Sequence, residues 1–238
     1  MESRFVTFVT ASAVFMTVLL LLDRDGLPQQ LALGGVTALF LWLFARSSQV
    51  QLRQIVCCVI VATIGEVVLS LGWGLYSYHH AVIPIYVPPG HGLFYTLAAE
   101  TARQHAVRLR GAIITRTVLI AGSVLAIASL AVKHDVWGFL WWLGAVALIS
   151  VSKNRLLLSA CFVYTIVLEF VGTAIGNWRW APEVPFLGLH SANPPSGVGI
   201  LYILLDLIVV AITSKVWIGL NEQCGTDTLV CASEARSN

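Results

Sequence analysis

Charge is scarce in this chain. Of its 238 residues only 11% are Asp, Glu, Lys or Arg, against about 25% in a soluble domain. With 58% hydrophobic residues and a mean hydropathy of +0.83, the composition excludes an ordinary water-soluble domain and places the chain in a bilayer. Nucleotide and hydrolase signatures are missing too: no P-loop, no Gly-x-Ser-x-Gly and no Gly-x-Gly-x-x-Gly after a strand, so neither nucleotide chemistry nor nucleophilic hydrolysis has support. The net charge is only +2, and membrane flanks account for the basic residues, so no nucleic-acid partner is expected. Five cysteines occur, Cys57, Cys58, Cys161, Cys224 and Cys231; none falls in a segment expected to face outward, which excludes an external disulfide.

Long apolar runs are abundant instead. They recur near 5–22, 30–45, 55–75, 91–110, 112–132, 136–152, 156–176 and 197–215, where a span needs about 20 residues. The expected fold is therefore an all-α integral membrane protein of about eight transmembrane helices. The first run is longer than a signal-peptide core, and no small-residue cleavage site follows Leu22 before Asp23-Arg24-Asp25, so it reads as a retained helix. With eight spans, eleven of the fourteen basic residues fall on one side and only Arg24, Lys133 and Arg179 on the other. That asymmetry predicts a protein of the cytoplasmic (inner) membrane with both termini cytoplasmic and two proline-rich loops outside.

The pattern also runs twice. Glu66, Tyr76-Ser77-Tyr78, Pro88-Pro89 and Glu100 are answered in order by Glu169, Trp178-Arg179-Trp180, Pro194-Pro195 and Asp206. The glutamates are offset by 103, the second prolines and trailing acids by 106. Four spans per unit keep the two copies in the same orientation, so two parallel four-helix repeats are expected, 1–107 and 108–220, followed by a disordered tail at 221–238.

An acid in a lipid-embedded helix costs roughly 2.5–3.5 kcal/mol to insert, so Glu66, Glu169, Asp206 and Glu100 are the first candidates for a site. At about 1.5 Å per residue, Glu66 and Glu169 lie roughly 14–15 Å below their helix exits, half of a ~30 Å core. The same count from the prolines puts Asp206 and Glu100 near that level. Protonation, mutual hydrogen bonding or a polar cavity are the cheap ways to hold such acids. Glu66, Glu169, Asp206 and His91 are the expected catalytic residues, His91 as a proton shuttle between Gly90 and Gly92. Glu100 precedes Arg103 by three, so a helix-face ion pair competes with a site role. Capping of broken backbone is the structural alternative for Glu66 and Glu169.

Trp73, Tyr76, Tyr78, Tyr95, Trp178, Trp180, Tyr202, Glu100 and His190 are the expected substrate contacts, although aromatics at helix ends also form interfacial belts. Aromatic faces lining a cavity favour a cation or carbocation. The Pro-Pro pairs are expected to stop helices and hold the chain extended. The sequence contains no His-x-x-x-His pair, and adjacent His79 and His80 would point apart in extended chain, so neither a metal site nor a cofactor is expected.

In Glu169, Gly176, Trp178-Arg179-Trp180 and Val184-Pro185, and in Glu66, Gly74, Tyr76-Ser77-Tyr78 and Ile83-Pro84, the chain resembles the integral-membrane carotenoid-biosynthesis family typified by bisanhydrobacterioruberin hydratase. That family pairs a membrane Glu with a Gly, a Tyr-x-Tyr pair and a Val-Pro loop. Here Trp replaces Tyr in the second copy, and the Pro-Pro-x-Gly elements and His91 are additional. The resemblance implies a polyprenoid substrate. Acid-catalysed hydration or cyclisation then needs a proton donor (Asp206 or Glu66), a group orienting water or positive charge (Glu169), and a dry aromatic cavity. A small proton-coupled transporter or lipid scramblase would use the same acids for coupling, and an assembly partner would use them to satisfy backbone. Self-association is left open.

Overall fold

The computed structural model describes residues 2–24 and 26–214. Among these residues nine helices form: α1 (Glu2–Leu22), α2 (Leu27–Ser47), α3 (Leu52–Glu66), α4 (Val87–Arg103), α5 (His105–Leu109), α6 (Gly111–Lys133), α7 (Val136–Val151), α8 (Arg155–Ile175) and α9 (Ile200–Ser214). The tail expected at 221–238 lies outside the described residues. Each apolar run found in the sequence falls on a helix. The run at 91–110 is broken at Gln104, whose backbone is extended and separates α4 from the short α5.

Among the described residues five helical segments are long and apolar enough to cross a membrane: Phe5–Leu22, Leu27–Ser47, Leu52–Gly72, Gly111–Lys133 and Arg155–Ile175. The sequence suggested eight. α4 has 17 residues and α7 has 16, about 24–26 Å of helix against a ~30 Å core. α4 is cut short by the extended backbone at Gln104, and α7 runs only from its Asp135 cap to Ser152.

α4 lies at the centre. It packs against α1, α2, α3 and α8, and ten of its residues are buried, including Leu93, Phe94, Tyr95 and Thr96. Gly92 permits the close approach, since a Cβ there would lie 2.9 Å from both Leu41 and Val59. The start of α9 meets α7 and α8 as tightly: a Cβ on Gly197 would lie 2.2 Å from the Trp142 amide nitrogen, and one on Gly199 2.3 Å from the Phe162 ring. The outer faces are apolar, with Leu39 and Leu43 of α2 and Ile120, Val124 and Ile127 of α6 exposed.

The Pro-Pro pairs behave differently from the expectation that both hold extended chain. Pro88 and Pro89 form the first turn of α4, where a missing N–H costs nothing and a fixed φ suits the helix. Pro194 and Pro195 stay outside α9, in the turns before it.

α3 runs into a π-helical turn, Val67–Gly72. Gly74 (φ 76°) and Gly176 (φ 91°) then reverse the chain after the first and second long acid-bearing helices, using backbone conformations costly for residues with a Cβ. Each reversal leads into a three-residue strand, β1 (Tyr76–Tyr78) and β2 (Trp178–Trp180). The strands pair antiparallel with Tyr76 opposite Trp180, Ser77 opposite Arg179 and Tyr78 opposite Trp178. Period-two alternation buries all four aromatics and exposes Ser77 and Arg179.

Candidate functional site

Each strand delivers its two inward aromatics to the glutamate of the helix before it. Glu66 Oε2 accepts hydrogen bonds from the Tyr76 hydroxyl at 2.8 Å and the Tyr78 hydroxyl at 2.7 Å. Glu169 Oε2 accepts from the indole nitrogens of Trp178 at 2.8 Å and Trp180 at 2.9 Å. The spacing from acid to first aromatic is ten residues in one case and nine in the other. The π-helical turn after Glu66 takes up that additional residue, as single-turn π insertions do. Two different aromatic pairs thus reach two carboxylates in the same way.

His91 completes the Glu66 side. Its Nδ1 lies 2.9 Å from the Val87 carbonyl oxygen, which can only accept, so Nδ1 carries a hydrogen. Its Nε2 lies 3.4 Å from Glu66 Oε1. With Nδ1 protonated, a neutral imidazole and an ionised carboxylate would face each other as two acceptors. The pair is placed to hold a proton and pass it on. The ring stacks on Tyr202 of α9, centroids 5.1 Å apart and planes 9° from parallel.

These groups line one cavity of about 430 Å³, within the range of ligand pockets. Glu66, Tyr76, Tyr78, His91, Glu169, Trp178, Trp180 and Tyr202 all contribute to its wall, and the rest is mostly aliphatic. Ile64 and Val68 on one side and Leu204 and Ile208 on the other belong both to the lining and to the exposed surface. The chamber therefore opens sideways between α3 and α9, through an apolar mouth.

The remaining expected site residues lie elsewhere. Asp206 is buried, at 3% exposure, but is absent from the cavity wall; it sits near Cys58, Tyr95 and Cys161. Those cysteines precede Glu66 and Glu169 by eight residues, about 12 Å of helix, so Asp206 lies toward the other end of the bundle. Tyr95 shares that deeper layer. Glu100 accepts from the Gln49 backbone amide at 2.7 Å and faces Arg103 at 3.4 Å. Trp73 donates to the Pro185 carbonyl at 3.1 Å and meets Trp137 edge-on. His190 is exposed, 3.9 Å from Glu183.

Two buried acids carry structure that sequence reasoning missed. Asp135 follows α6 and accepts four hydrogen bonds: Oδ1 from the amides of Gly138 at 3.1 Å and Ala192 at 2.8 Å, Oδ2 from Ser129 Oγ at 3.0 Å and the Ser196 amide at 2.8 Å. Asp23 follows α1 and is approached by Gln30, Tyr86, Asn177 and His80. Both sit just past helix ends, and each anchors a loop.

Trp178 leans directly on Gly172, where an added Cβ would fall 2.0 Å from the indole. Gly172→Ala is expected to displace the indole from Glu169 and cost about 1–3 kcal/mol of overpacking. A shifted tryptophan emission together with a lower unfolding midpoint in detergent would register it; unchanged emission would refute the contact.

Long apolar helices, lipid-compatible outer faces and a buried acidic site define a helical integral membrane protein. Comparison with protein-family models, curated proteins and solved structures finds no match.

Proposed function

We propose that the chamber is the active site of a membrane enzyme that adds a proton to an isoprenoid or similar apolar alkene, leading to hydration or cyclisation. The observation that carries this reading is the Glu66–His91 pair, 3.4 Å apart and able to hold a proton, at the wall of an otherwise apolar, aromatic cavity open toward lipid. The resemblance to carotenoid-biosynthesis hydratases points to the same substrate class.

In the proposed step the alkene π electrons form a C–H bond with that proton, leaving a tertiary carbocation and an unprotonated Glu66–His91 pair. The faces of Tyr202, Trp178 and Trp180 offset the positive charge, and Glu169, oriented by two indole donors, positions water or stabilises the developing charge. Water forms a C–O bond to the cation and returns its proton to the pair, so alkene plus water becomes a tertiary alcohol. Capture by an internal alkene followed by proton loss gives a ring. With this goes a duplicated architecture, α1–α4 matched by α6–α9 with α5 as linker, and a cytoplasmic location for both termini. The centred strand pairing and the doubled Glu–aromatic motif support it.

Protein in detergent, offered acyclic carotenoid precursors in deuterated water, is expected to yield product carrying one carbon-bound deuterium. Turnover requires no gradient. Activity seen only as flux into sealed vesicles would instead favour the transporter or scramblase.

Because Asp206 stands outside the cavity, it is not proposed as a donor. Asp206→Asn is expected to retain turnover within about twofold and to leave the unfolding midpoint unchanged or higher, since no hydrogen bond reaches the carboxylate among the described residues and burying an unpaired acid is costly. A hundredfold loss of turnover would return Asp206 to the mechanism.

A further inference from the structure

We propose that Asp23, His79 and His80 form a binding site for a divalent transition-metal ion of the zinc class, separate from the chamber. Adjacent histidines in extended chain would diverge, but these occupy the two central positions of a tight turn closed by the Ala81 amide on the Tyr78 carbonyl at 2.9 Å. Ala81 itself has a positive φ of 59°. The turn folds the two imidazoles together, with ring centroids 3.7 Å apart.

Ligand atoms of Asp23, His79 and His80 all lie within 4.8 Å of one another. His80 Nε2 is 3.1 Å from Asp23 Oδ1, close to the roughly 3.3 Å edge of a tetrahedron with ~2.0–2.1 Å metal–ligand bonds. His79 is exposed and free to rotate the remaining distance. Two imidazoles and a carboxylate suit zinc and its neighbours.

A second observation points the same way. Gln30 and Asn177 are 5% and 2% exposed, and each turns its amide nitrogen toward Asp23. Their oxygens, Gln30 Oε1 and Asn177 Oδ1, are buried without a hydrogen-bond partner. Turning either amide over would set its oxygen against the Asp23 carboxylate, and for Asn177 also against the Leu20 carbonyl, which now accepts from Nδ2 at 3.0 Å. A cation held by Asp23 and the two imidazoles would let either amide turn its oxygen inward and satisfy it. The Asp135 anchor differs in kind: three of its four donors are backbone amides, and among the described residues no histidine hydrogen-bonds to it.

Such an ion would tie α1 to the turn that follows β1, and through Asn177 to the approach to β2. It would brace the pair of strands that carries the chamber's aromatics without entering the chamber.

The test uses full-length protein in detergent, stripped with chelator and dialysed against Co²⁺ or Zn²⁺. One ion per chain is expected by elemental analysis, with visible Co²⁺ ligand-field bands and a Zn²⁺-dependent rise in unfolding midpoint. His79→Ala and His80→Ala should each weaken binding by about 10–100-fold or more, whereas His190→Ala, at a remote exposed histidine, should not. Both substituted side chains reach the surface, so these variants are expected to fold, which the unfolding midpoint without metal checks. Absence of stoichiometric metal in the unsubstituted protein, or its survival in the double His79→Ala/His80→Ala variant, overturns the proposal.

Discussion

Asp135→Ala is expected to lower stability more than any other single substitution outside the closest glycine contacts. The carboxylate is fully buried and gathers the amides of Gly138, Ala192 and Ser196 with the Ser129 hydroxyl. Gly138 opens α7, Ser129 belongs to α6, and Ala192 and Ser196 lie in the loop before α9. One side chain therefore fixes three segments. Removing it orphans three buried backbone N–H groups, each costing on the order of 1–3 kcal/mol. A total of roughly 3 kcal/mol or more corresponds to a fall of about 6–12 °C in unfolding midpoint for a chain of this size. Asp135→Asn keeps one acceptor oxygen and turns an N–H₂ group against the other donors, so it should fall between. Ser129→Ala deletes only one partner and should cost about 1 kcal/mol. Thermal unfolding in detergent ranks the three. Equal midpoints for Asp135→Ala and the unsubstituted protein would show that the loop holds without its anchor.

What could be read from sequence divides by how far a residue's partners lie along the chain. Each apolar run became a helix because length and hydropathy decide that locally. Glu66 and Glu169 were identifiable because their aromatic donors follow within 9–12 residues, close enough for a spacing to show. Asp23 and Asp135 were not. Tyr86 is 63 residues from Asp23, Asn177 is 154 away, and the Ser196 amide is 61 from Asp135. No local pattern distinguishes such an anchor from an acid at the membrane interface.

Asp206 is the converse case. Isolation among Leu, Ile and Val marked it as expensive, and expense suggested function. Its level was counted from Pro195, as though helix began there. α9 begins at Ile200, after turns that advance the chain little, and Tyr202 rather than Asp206 reaches His91. His79 and His80 were misjudged through backbone conformation. The divergence of neighbouring side chains holds in a strand and fails in a turn, and the positive φ at Ala81 that closes this one carries no sequence signal.

Glu66→Gln is expected to abolish turnover, by at least the 10²–10⁴-fold that general acid catalysis contributes, while leaving the fold in place. The amide oxygen can still accept from Tyr76 and Tyr78, so the strand stays docked. What disappears is the exchangeable proton: a glutamine N–H₂ can donate to His91 Nε2 but cannot release a hydrogen to a carbon. A purely structural role predicts the reverse, because the hydrogen bonds survive and activity should follow them. His91→Gln separates the two halves of the proton-bearing pair. If the proton resides on Glu66 and His91 only reloads it, that variant retains slow turnover that speeds up with added small buffer acids such as imidazole. Glu66→Gln should show no such rescue, since no group remains to pass the proton onward. Tyr78→Phe removes a single 2.7 Å donor to the carboxylate and should shift the pH profile of turnover with a much smaller loss of rate. Full activity in Glu66→Gln, with deuterium still entering the product, would place the donor elsewhere and leave the chamber as a binding pocket only.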